Sequence, residues 1–309
     1  MSPLRLNILN TLAFFLAQDF PPTFFEVWRH LLGDKNARCT LWEVKKELLI
    51  LKEEGLIFEN RGFFFFHKMN KLVSERIRKQ KISAVKIFRL KKWARLLSLV
   101  PFVRAIFVTG ALAMKKADIN SDWDVIVVLA KKRIWLGRFL TDLILRLVMK
   151  RRSGEKVRNR FCLNHFLTED GLMLEEQNDF SASEVAFSFP ILGEKYFHRF
   201  LLLNLAWMKN FKPNFEKDHV VLQSVLAKPT ELTVKTQEFL EMILEKIGLA
   251  ELGNKLCKKV MIWKIRRNPE TSKSGADIRY SDQALIFLPK PKRVEVERRK
   301  REIMESLQR

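Results

Sequence analysis

Two aspartates one residue apart, Asp122 and Asp124, open an apolar run that reads DWDVIVVLA. If the run is a β-strand, side chains two residues apart project from the same face of it. Both carboxylates can then hold one or two divalent cations between them, and Mg²⁺ prefers oxygen ligands of this kind. The pair is therefore a candidate metal site, the alternative being a polar turn that only precedes the strand.

The apolar run before the aspartates ends in FVTGA, Phe107 to Ala111. Gly110 lets the chain turn where a side chain would be strained, so the backbone can approach a phosphate closely. A helix that begins at this turn offers its free N–H groups to the same phosphate. Ten residues then separate Ala111 from Asp122.

The segment FVTGALAMKKADINSDWDVIVV resembles the signature of the nucleotidyltransferase superfamily, which includes DNA polymerase beta, the CCA-adding enzymes and the aminoglycoside nucleotidyltransferases. In that signature an apolar strand is followed by Gly and then Ser or Gly, a short spacer, and Asp-x-Asp or Asp-x-Glu at the start of the next strand. The order of strands and helices extends the resemblance to a nucleotidyltransferase core over 98–180. It implies a Mg²⁺-dependent enzyme that moves a nucleoside monophosphate from an NTP to an acceptor hydroxyl, for which RNA is one candidate.

The resemblance also implies roles for particular residues. Asp122 and Asp124 would be the catalytic metal ligands, and Thr109, Gly110 and Ala111 would complete the nucleotide-binding site with them. The cations would neutralise the triphosphate, help to lower the pKa of the attacking hydroxyl and stabilise the leaving pyrophosphate. Most of the catalysis would then be positioning and electrostatic stabilisation.

Two features depart from the family pattern. Ala111 stands where the family usually has Ser, so a hydroxyl that would contact a terminal phosphate is absent. Many members carry a third carboxylate on a later strand. In this chain Asn164 can occupy that position, and its amide cannot accept a proton at neutral pH. Alternatively, the acid can come from Glu169, Asp170 or Glu184. The alternative function is a catalytically degenerate winged-helix protein that senses nucleotide or binds DNA or RNA, or an interaction protein that uses the fold as a scaffold.

The surrounding elements predict a mixed α+β fold with a small mixed sheet in its core. Strands are expected at RAIFV, DVIVVLA and RFCLNHFLT, with a short helix after Gly110 and an amphipathic helix over 135–150. His165, in the third strand, is expected to pack in the interior rather than to contact a phosphate. A helical region is expected over 181–267, and a basic C-terminal tail, a loop followed by a helix, over 268–309.

Residues 1–67 are expected to form a winged-helix-like domain of three helices and a hairpin. The third helix starts with a capping box, Thr40 to Glu43, and ends at Gly55. Thr40 to Glu54 carries a net charge of −1, so this helix would neutralise DNA phosphates poorly. A packing or partner-binding role is therefore favoured over direct nucleic-acid contact for this domain.

Two segments are strongly basic. Residues 68–97, expected as a long linker helix, hold eleven Lys and Arg against one Glu, a net charge of +10, and 146–160 is a second basic segment. The whole chain carries +22, from 57 Lys and Arg against 35 Asp and Glu. Such an excess favours polyanionic partners. The expected partners are an NTP substrate and a nucleic acid, RNA or DNA, bound through 68–97 and 146–160.

The composition is that of a soluble globular protein of 309 residues, 47% hydrophobic and 30% charged. The three cysteines, Cys39, Cys162 and Cys257, are far apart and are expected to be reduced and buried, which favours a cytoplasmic location. No secretory signal is expected at the start. The most lipid-like segment, 134–150, is too short and too charged to span a bilayer, so no membrane partner is expected.

Overall fold

The computed structural model describes residues 2–66, 69–216 and 225–307. Lys68, where the basic linker is expected to begin, lies outside the described residues, as does 217–224 of the expected helical region. The described chain combines helices with a mixed β-sheet, in agreement with the expected α+β class.

The N-terminal elements are three helices and a two-stranded hairpin: α1 (Pro3–Leu16), α2 (Phe24–Arg29), α3 (Leu41–Glu53), β1 (Phe58–Asn60) and β2 (Phe63–Phe65). The capping box expected at the start of α3 is present. Oγ1 of Thr40 accepts from the N–H of Glu43, and the Glu43 carboxylate accepts from the N–H of Thr40. Helices and hairpin share one hydrophobic core that includes Leu12, Leu48 and Phe65. The phenylalanines of β2 therefore pack inside the protein.

A single long helix, α4 (Lys71–Leu97), follows this core and packs on the sheet through residues such as Leu90. Two of its cations are structural, because Arg76 and Lys86 are each only 3% exposed. Arg76 donates to the carboxylate of Glu26 at 2.6 Å. The net charge of the segment therefore overstates the number of cations that a phosphate can reach.

Within the described residues, six strands form one sheet in the order β6-β3-β4-β5-β8-β7. They are β3 (Val103–Val108), β4 (Trp123–Leu129), β5 (Phe161–Thr168), β6 (Phe189–Leu192), β7 (Asp277–Tyr280) and β8 (Ala284–Leu288). β4 and β5 are parallel, and every other neighbouring pair is antiparallel. β3, β4 and β5 are the three strands that the sequence predicts. β6, β7 and β8 are not predicted from the sequence.

Four helices are interleaved with the strands β3 to β6 or follow them: α5 (Gly110–Ala113), α6 (Ile134–Leu147), α7 (Asp179–Phe187) and α8 (Glu194–Met208). Alternate side chains of β4 divide the core into two layers. Val125 and Val127 pack with α4 and α6 on one face, and Ile126 and Val128 pack with α7 and α8 on the other. Side chains of even number in β4, Asp124 among them, therefore face α7.

The C-terminal helices are α9 (Glu231–Lys246), α10 (Leu249–Arg267) and α11 (Lys292–Ser306). Here the structure differs from the expected tail, because 268–309 contributes β7 and β8 to the sheet before it forms α11. Helix α11 packs against the N-terminal core through Ile303 and Met304, and Arg299 pairs with Asp19 at 2.7 Å. β7 is short and carries charged residues, and β8 is a five-residue apolar run, too short for its pattern alone to show whether it is strand or helix.

Helix α6 is amphipathic, as the sequence predicts for this most lipid-like segment. Trp135 and Leu145 are buried in the core, whereas Phe139 and Leu147 are exposed. Across the described ranges, no helix combines the length and the apolar character that are needed to cross a bilayer.

Candidate active site

Asp122 and Asp124 lie at the amino end of β4 and line a cleft of about 840 Å³. Asp124 is on the same strand face as Ile126, which packs with α7. The cleft is therefore bounded by the strand ends on one side and by α7 on another. Residues of β5 and the segment 287–294 complete its walls.

Gly110 forms the turn between β3 and α5 with a φ of +60°, in the left-handed region that favours glycine. A Cβ atom here would lie 2.6 Å from Oδ2 of Asp124, so the position has no space for a side chain. The N–H of Thr109 also donates to the carbonyl of Asp124 at 3.0 Å. Thr109 and Gly110 line the cleft, while Ala111 is half-buried in α5 and offers only a methyl group.

A third potential metal ligand, Cys162, comes from β5. One carboxylate oxygen of Asp122, one of Asp124 and Sγ of Cys162 lie within 4.8 Å of one another, because Asp124 and Cys162 are paired in the parallel ladder. From the sequence, Cys162 is expected only to be a buried apolar residue. The register between two strands cannot be read from the sequence of either strand, so the pairing with Asp124 is not predicted. The three groups fit a divalent cation: the oxygens suit Mg²⁺ or Mn²⁺, and a thiolate adds affinity for softer ions.

Two cations face these ligands. Nη1 of Arg152 lies 2.6 Å from Oδ2 of Asp122 and 3.4 Å from Sγ of Cys162, and Nζ of Lys292 lies 4.0 Å from Oδ2 of Asp124. Burial, and then the charge of Asp122, raises the pKa of Asp124, while Lys292 opposes the rise. Burial, and then Asp124, raises the pKa of Cys162 to about 12. The site concentrates negative charge, and a bound metal would favour loss of the thiol proton.

Of the candidates for the third carboxylate position, Asn164 and Glu184 line the cleft. Glu169 and Asp170 follow β5 at its other end, where Asp170 pairs with Lys131 at 3.4 Å. Because β4 and β5 are parallel, the whole length of β5 separates these two acids from the aspartate pair. The structure therefore places Glu169 and Asp170 away from the site.

Glu184 projects from α7 into the cleft. Its side chain is exposed to solvent where it lines the cleft. Partial desolvation by the cleft walls, and then the charge of Asp124, raises the pKa of Glu184 to about 7. A carboxylate with this pKa can take up and release a proton near neutral pH.

A bulge in β5 widens its contribution to the cleft. Asp124 pairs with Cys162, but the next pair is Ile126 with His165, so β5 has one extra residue between them. Both Asn164 and His165 line the cleft. Nε2 of His165 is buried and, among the described residues, has no hydrogen-bond partner. Burial lowers the pKa of His165 to about 4, so the ring is neutral. His165 differs in part from the expectation of interior packing: its Nε2 is buried, but the residue is half-buried and forms part of the cleft wall.

The far wall of the cleft comes from the link after β8, where Lys290 lies, and from the start of α11, where Lys292 lies. Glu176 holds this wall in place: it accepts from Arg293 at 2.6 Å and from Arg279 at 3.0 Å. The sequence does not indicate these lysines as site residues, because they are distant along the chain and belong to a chain-wide excess of cations.

Part of the cleft is apolar. The side chains that form this part are Leu174, Phe180, Val185 and Phe287. Binding sites for small molecules combine such surfaces with a few polar groups, and aromatic rings pack well against other planar rings. The cleft therefore offers separate places for an anion and for a flat apolar group.

Comparison with known proteins identifies no relative: no protein-family model, no curated protein and no solved structure matches the chain. The function therefore has to be inferred from the residues of the cleft and from their geometry.

Proposed function

We propose that this chain is a nucleotidyltransferase that uses a divalent cation such as Mg²⁺ to move a nucleoside monophosphate from an NTP to an acceptor hydroxyl. The observation that carries the proposal is the contact between the Gly110 turn and Asp124, with Asp122 and Cys162 beside it. Such a turn brings backbone close to a phosphate, and the carboxylates hold the cation that the phosphate needs. The cleft volume of about 840 Å³ is within the range of about 300–1,000 Å³ typical of small-molecule sites.

In the proposed reaction, the oxygen of the acceptor hydroxyl attacks the α-phosphorus of the NTP. A P–O bond forms to the acceptor, the bond from the α-phosphorus to the bridging oxygen of pyrophosphate breaks, and the hydroxyl proton passes to the Glu184 carboxylate. Glu184 suits this role because a pKa of about 7 leaves much of it deprotonated at neutral pH. A cation bound by Asp122 and Asp124 supplies neutralising charge for the triphosphate and for the leaving pyrophosphate.

Lys292 is the proposed contact for the outer phosphates. Its side chain is 71% exposed and its Nζ is 4.0 Å from Asp124, so it can move to a phosphate bound beside the metal ligands. A lysine there offers the hydrogen-bond donor that Ala111 lacks. The rings of Phe180 and Phe287 would pack against the nucleobase.

A second candidate function, nucleotide sensing without transfer, is favoured by one observation. Cys162 lies beside Asp124, on the strand where many nucleotidyltransferases carry a third carboxylate. A thiol is a poor ligand for Mg²⁺, so a nucleotide can bind at such a site and remain intact. The protein would then bind an NTP with metal and release no pyrophosphate.

The two functions are separated by incubating the protein with labelled NTPs, Mg²⁺ or Mn²⁺, and total cellular RNA. Pyrophosphate release and labelled products are measured for the wild type and for Asp122→Asn/Asp124→Asn, which removes both ligand charges at nearly constant volume. The matched control, Glu169→Gln/Asp170→Asn, removes two acids at the other end of β5.

Transfer that is lost in the aspartate variant and kept in the control supports the enzyme. Metal-dependent NTP binding without pyrophosphate release supports the sensor. A wild-type protein that binds no NTP with either metal contradicts both functions.

A further inference from the structure

A buried lysine connects the long basic helix α4 to the candidate active site. Nζ of Lys86 donates to the carbonyls of Ile119 and Ser121 at 3.0 and 2.7 Å, and to Oδ1 of Asn159 at 2.9 Å. Ile119 and Ser121 belong to the loop that leads into β4, and Asn159 belongs to the basic segment 146–160. One side chain therefore holds the helix, the loop and the basic segment together.

The cations around this contact form a surface that we call the basic tract. Its members are Arg89 of α4 and, from the basic segment, Lys150, Lys156, Arg158 and Arg160. Burial, and then Arg160 and Arg89, lowers the pKa of Lys150. Lys156 and Arg160 line the same shallow groove. Burial lowers the pKa of Lys86, Asp118 opposes the fall, and Arg158 and Arg89 add to it. The five cations are thus neighbours although they come from two segments.

The tract is short of compensating acids. Among the described residues, no carboxylate forms an ion pair with Arg89, Lys156 or Arg158. By contrast, Arg293 and Arg298 of α11 pair with glutamates of the same helix, as is common on a solvated helical face. Like charges that are held close together repel one another, and a bound polyanion relieves that repulsion.

The tract ends at the candidate active site. Arg152, in the same basic segment, is 44% exposed and lies 2.6 Å from Asp122. A polyanion that lies along the tract would therefore have its end beside the two metal ligands, where an acceptor hydroxyl has to be.

The ring of Trp93 borders the tract: its centre lies 4.8 Å from Nζ of Lys150, and the residue is half-buried. Unpaired bases stack on accessible aromatic rings, with little dependence on sequence.

We propose that the acceptor is a single-stranded nucleic acid, which binds the basic tract through its phosphates and presents its terminal 3′-hydroxyl to Asp122 and Asp124. This inference rests on the proposed nucleotidyl transfer and names its acceptor. Contacts to phosphate supply the affinity, and stacking on Trp93 accepts any base. A flexible strand can follow the cations into the cleft, whereas the surface of a bilayer cannot, which favours a nucleic acid over an anionic membrane.

The first test is the binding of a labelled single-stranded RNA of about 16 nucleotides, measured by fluorescence anisotropy over a series of salt concentrations. The variant Arg89→Gln/Lys156→Gln/Arg158→Gln removes three exposed cations of the tract. We expect at least tenfold weaker binding, and a slope of log affinity against log salt that is smaller by about 2, because each single-strand phosphate contact contributes about 0.7.

The matched control is Lys259→Gln/Arg266→Gln/Arg267→Gln, which removes the same types of charge from exposed positions of α10. The control should bind the RNA nearly as tightly as the wild type. Equal weakening in both variants would show general charge attraction and would overturn the tract. Binding to phosphatidylserine vesicles in place of RNA would also overturn it, since the surface would then be a membrane contact.

The second test separates the acceptor from the reaction. Asp122→Asn/Asp124→Asn should still bind the RNA, so RNA binding can be scored even where transfer is absent. Labelled nucleotide should be added to an RNA with a free 3′-hydroxyl and not to the same RNA blocked by a 3′-phosphate. A wild type that binds NTP and metal but no RNA would overturn the nucleic-acid acceptor and leave the proposed transfer with a smaller acceptor.

Discussion

Cys162 lies beside Asp124 in the parallel β4–β5 pair, so a thiol and a carboxylate share the centre of the candidate active site. With Asp122 they bring three ligand atoms within 4.8 Å of one another. In the proposed metal site, this relationship would affect which cation is preferred, because carboxylates alone suit Mg²⁺ and a thiolate adds affinity for softer ions.

Replacement of Cys162 should therefore change the metal preference. We expect Cys162→Ser to bind Cd²⁺ at least about tenfold more weakly, because a loss of that size is seen even when only a group that hydrogen-bonds to a metal ligand is removed. We expect Cys162→Asp to bind Mg²⁺ more tightly than the wild type does. Titration calorimetry measures both changes, and the ultraviolet absorption of a Cd²⁺–thiolate bond should be present in the wild type and absent in Cys162→Ser. The control Cys257→Ser should retain the absorption; its loss there would contradict the assignment.

Gly110→Ala should reduce both stability and metal binding. The left-handed φ of +60° and the added Cβ together should cost about 1–3 kcal/mol in the free energy of unfolding, and the Cβ should displace Asp124, whose Oδ2 would be 2.6 Å away. Urea denaturation and Mn²⁺ titration measure the two effects. Gly154→Ala is the matched control, because its φ is +49° but no atom of the described residues lies within 4 Å of the added Cβ. Equal losses of metal affinity would exclude the contact with Asp124 as the cause.

Glu184→Gln should slow transfer by about 10²–10⁴-fold, the usual contribution of a general base. A base must be deprotonated, and the pKa of Glu184 is about 7, so the wild-type rate should rise with pH through that region. The glutamine variant should lack this rise. A pH–rate profile tests the prediction, with Glu169→Gln as the control that keeps the wild-type profile. An unchanged profile in Glu184→Gln would remove this residue from the mechanism.

Lys292→Gln should weaken binding of triphosphates more than that of monophosphates. Loss of a hydrogen bond to a charged group costs about 1.5–3 kcal/mol, or roughly tenfold to a hundredfold in affinity for NTP. Calorimetry with NTP and NMP, each with metal, gives the comparison. Arg301→Gln, an exposed position further along α11, is the control. Equal losses for both nucleotides would mean that Lys292 does not contact the outer phosphates.

Lys212→Met should stabilise the protein. Lys212 is completely buried, and its Nζ donates to the carbonyl of His30 at 3.1 Å. Burial lowers the pKa of Lys212 from 10.5 to about 7. Between these values the unfolded chain binds more protons than the folded one, so the wild type loses stability as pH falls from about 10.5 to about 7 and then levels off.

The gain from Lys212→Met should therefore be greatest below about pH 7, at ~2 kcal/mol, and should shrink toward pH 10. Thermal or urea unfolding over this pH range measures it. Lys259→Met, at an exposed position of α10, is the control and should show no such dependence. A gain for Lys212→Met that is the same at all pH values would contradict the explanation.

The local parts of the site are predictable from the sequence. The strand periodicity around Asp124, the glycine at 110 and the spacing between them indicate a turn that faces a pair of carboxylates, and the capping box at Thr40 indicates the start of α3. These features depend on neighbours within a few residues, whose side-chain directions follow from strand and helix geometry.

The sequence by itself thus determines the mixed α+β class, the strands β3 to β5 and the aspartate pair at the start of β4. Only the tertiary structure decides that Cys162 lies beside Asp124, that Glu184 lines the site while Glu169 lies at the other end of β5, and that Lys292 lies 4.0 Å from Asp124. The physical reason is that strand register and helix docking depend on the summed packing of residues far apart along the chain. No local pattern contains that sum, so these partners become visible only when the sheet and its two helical layers are assembled.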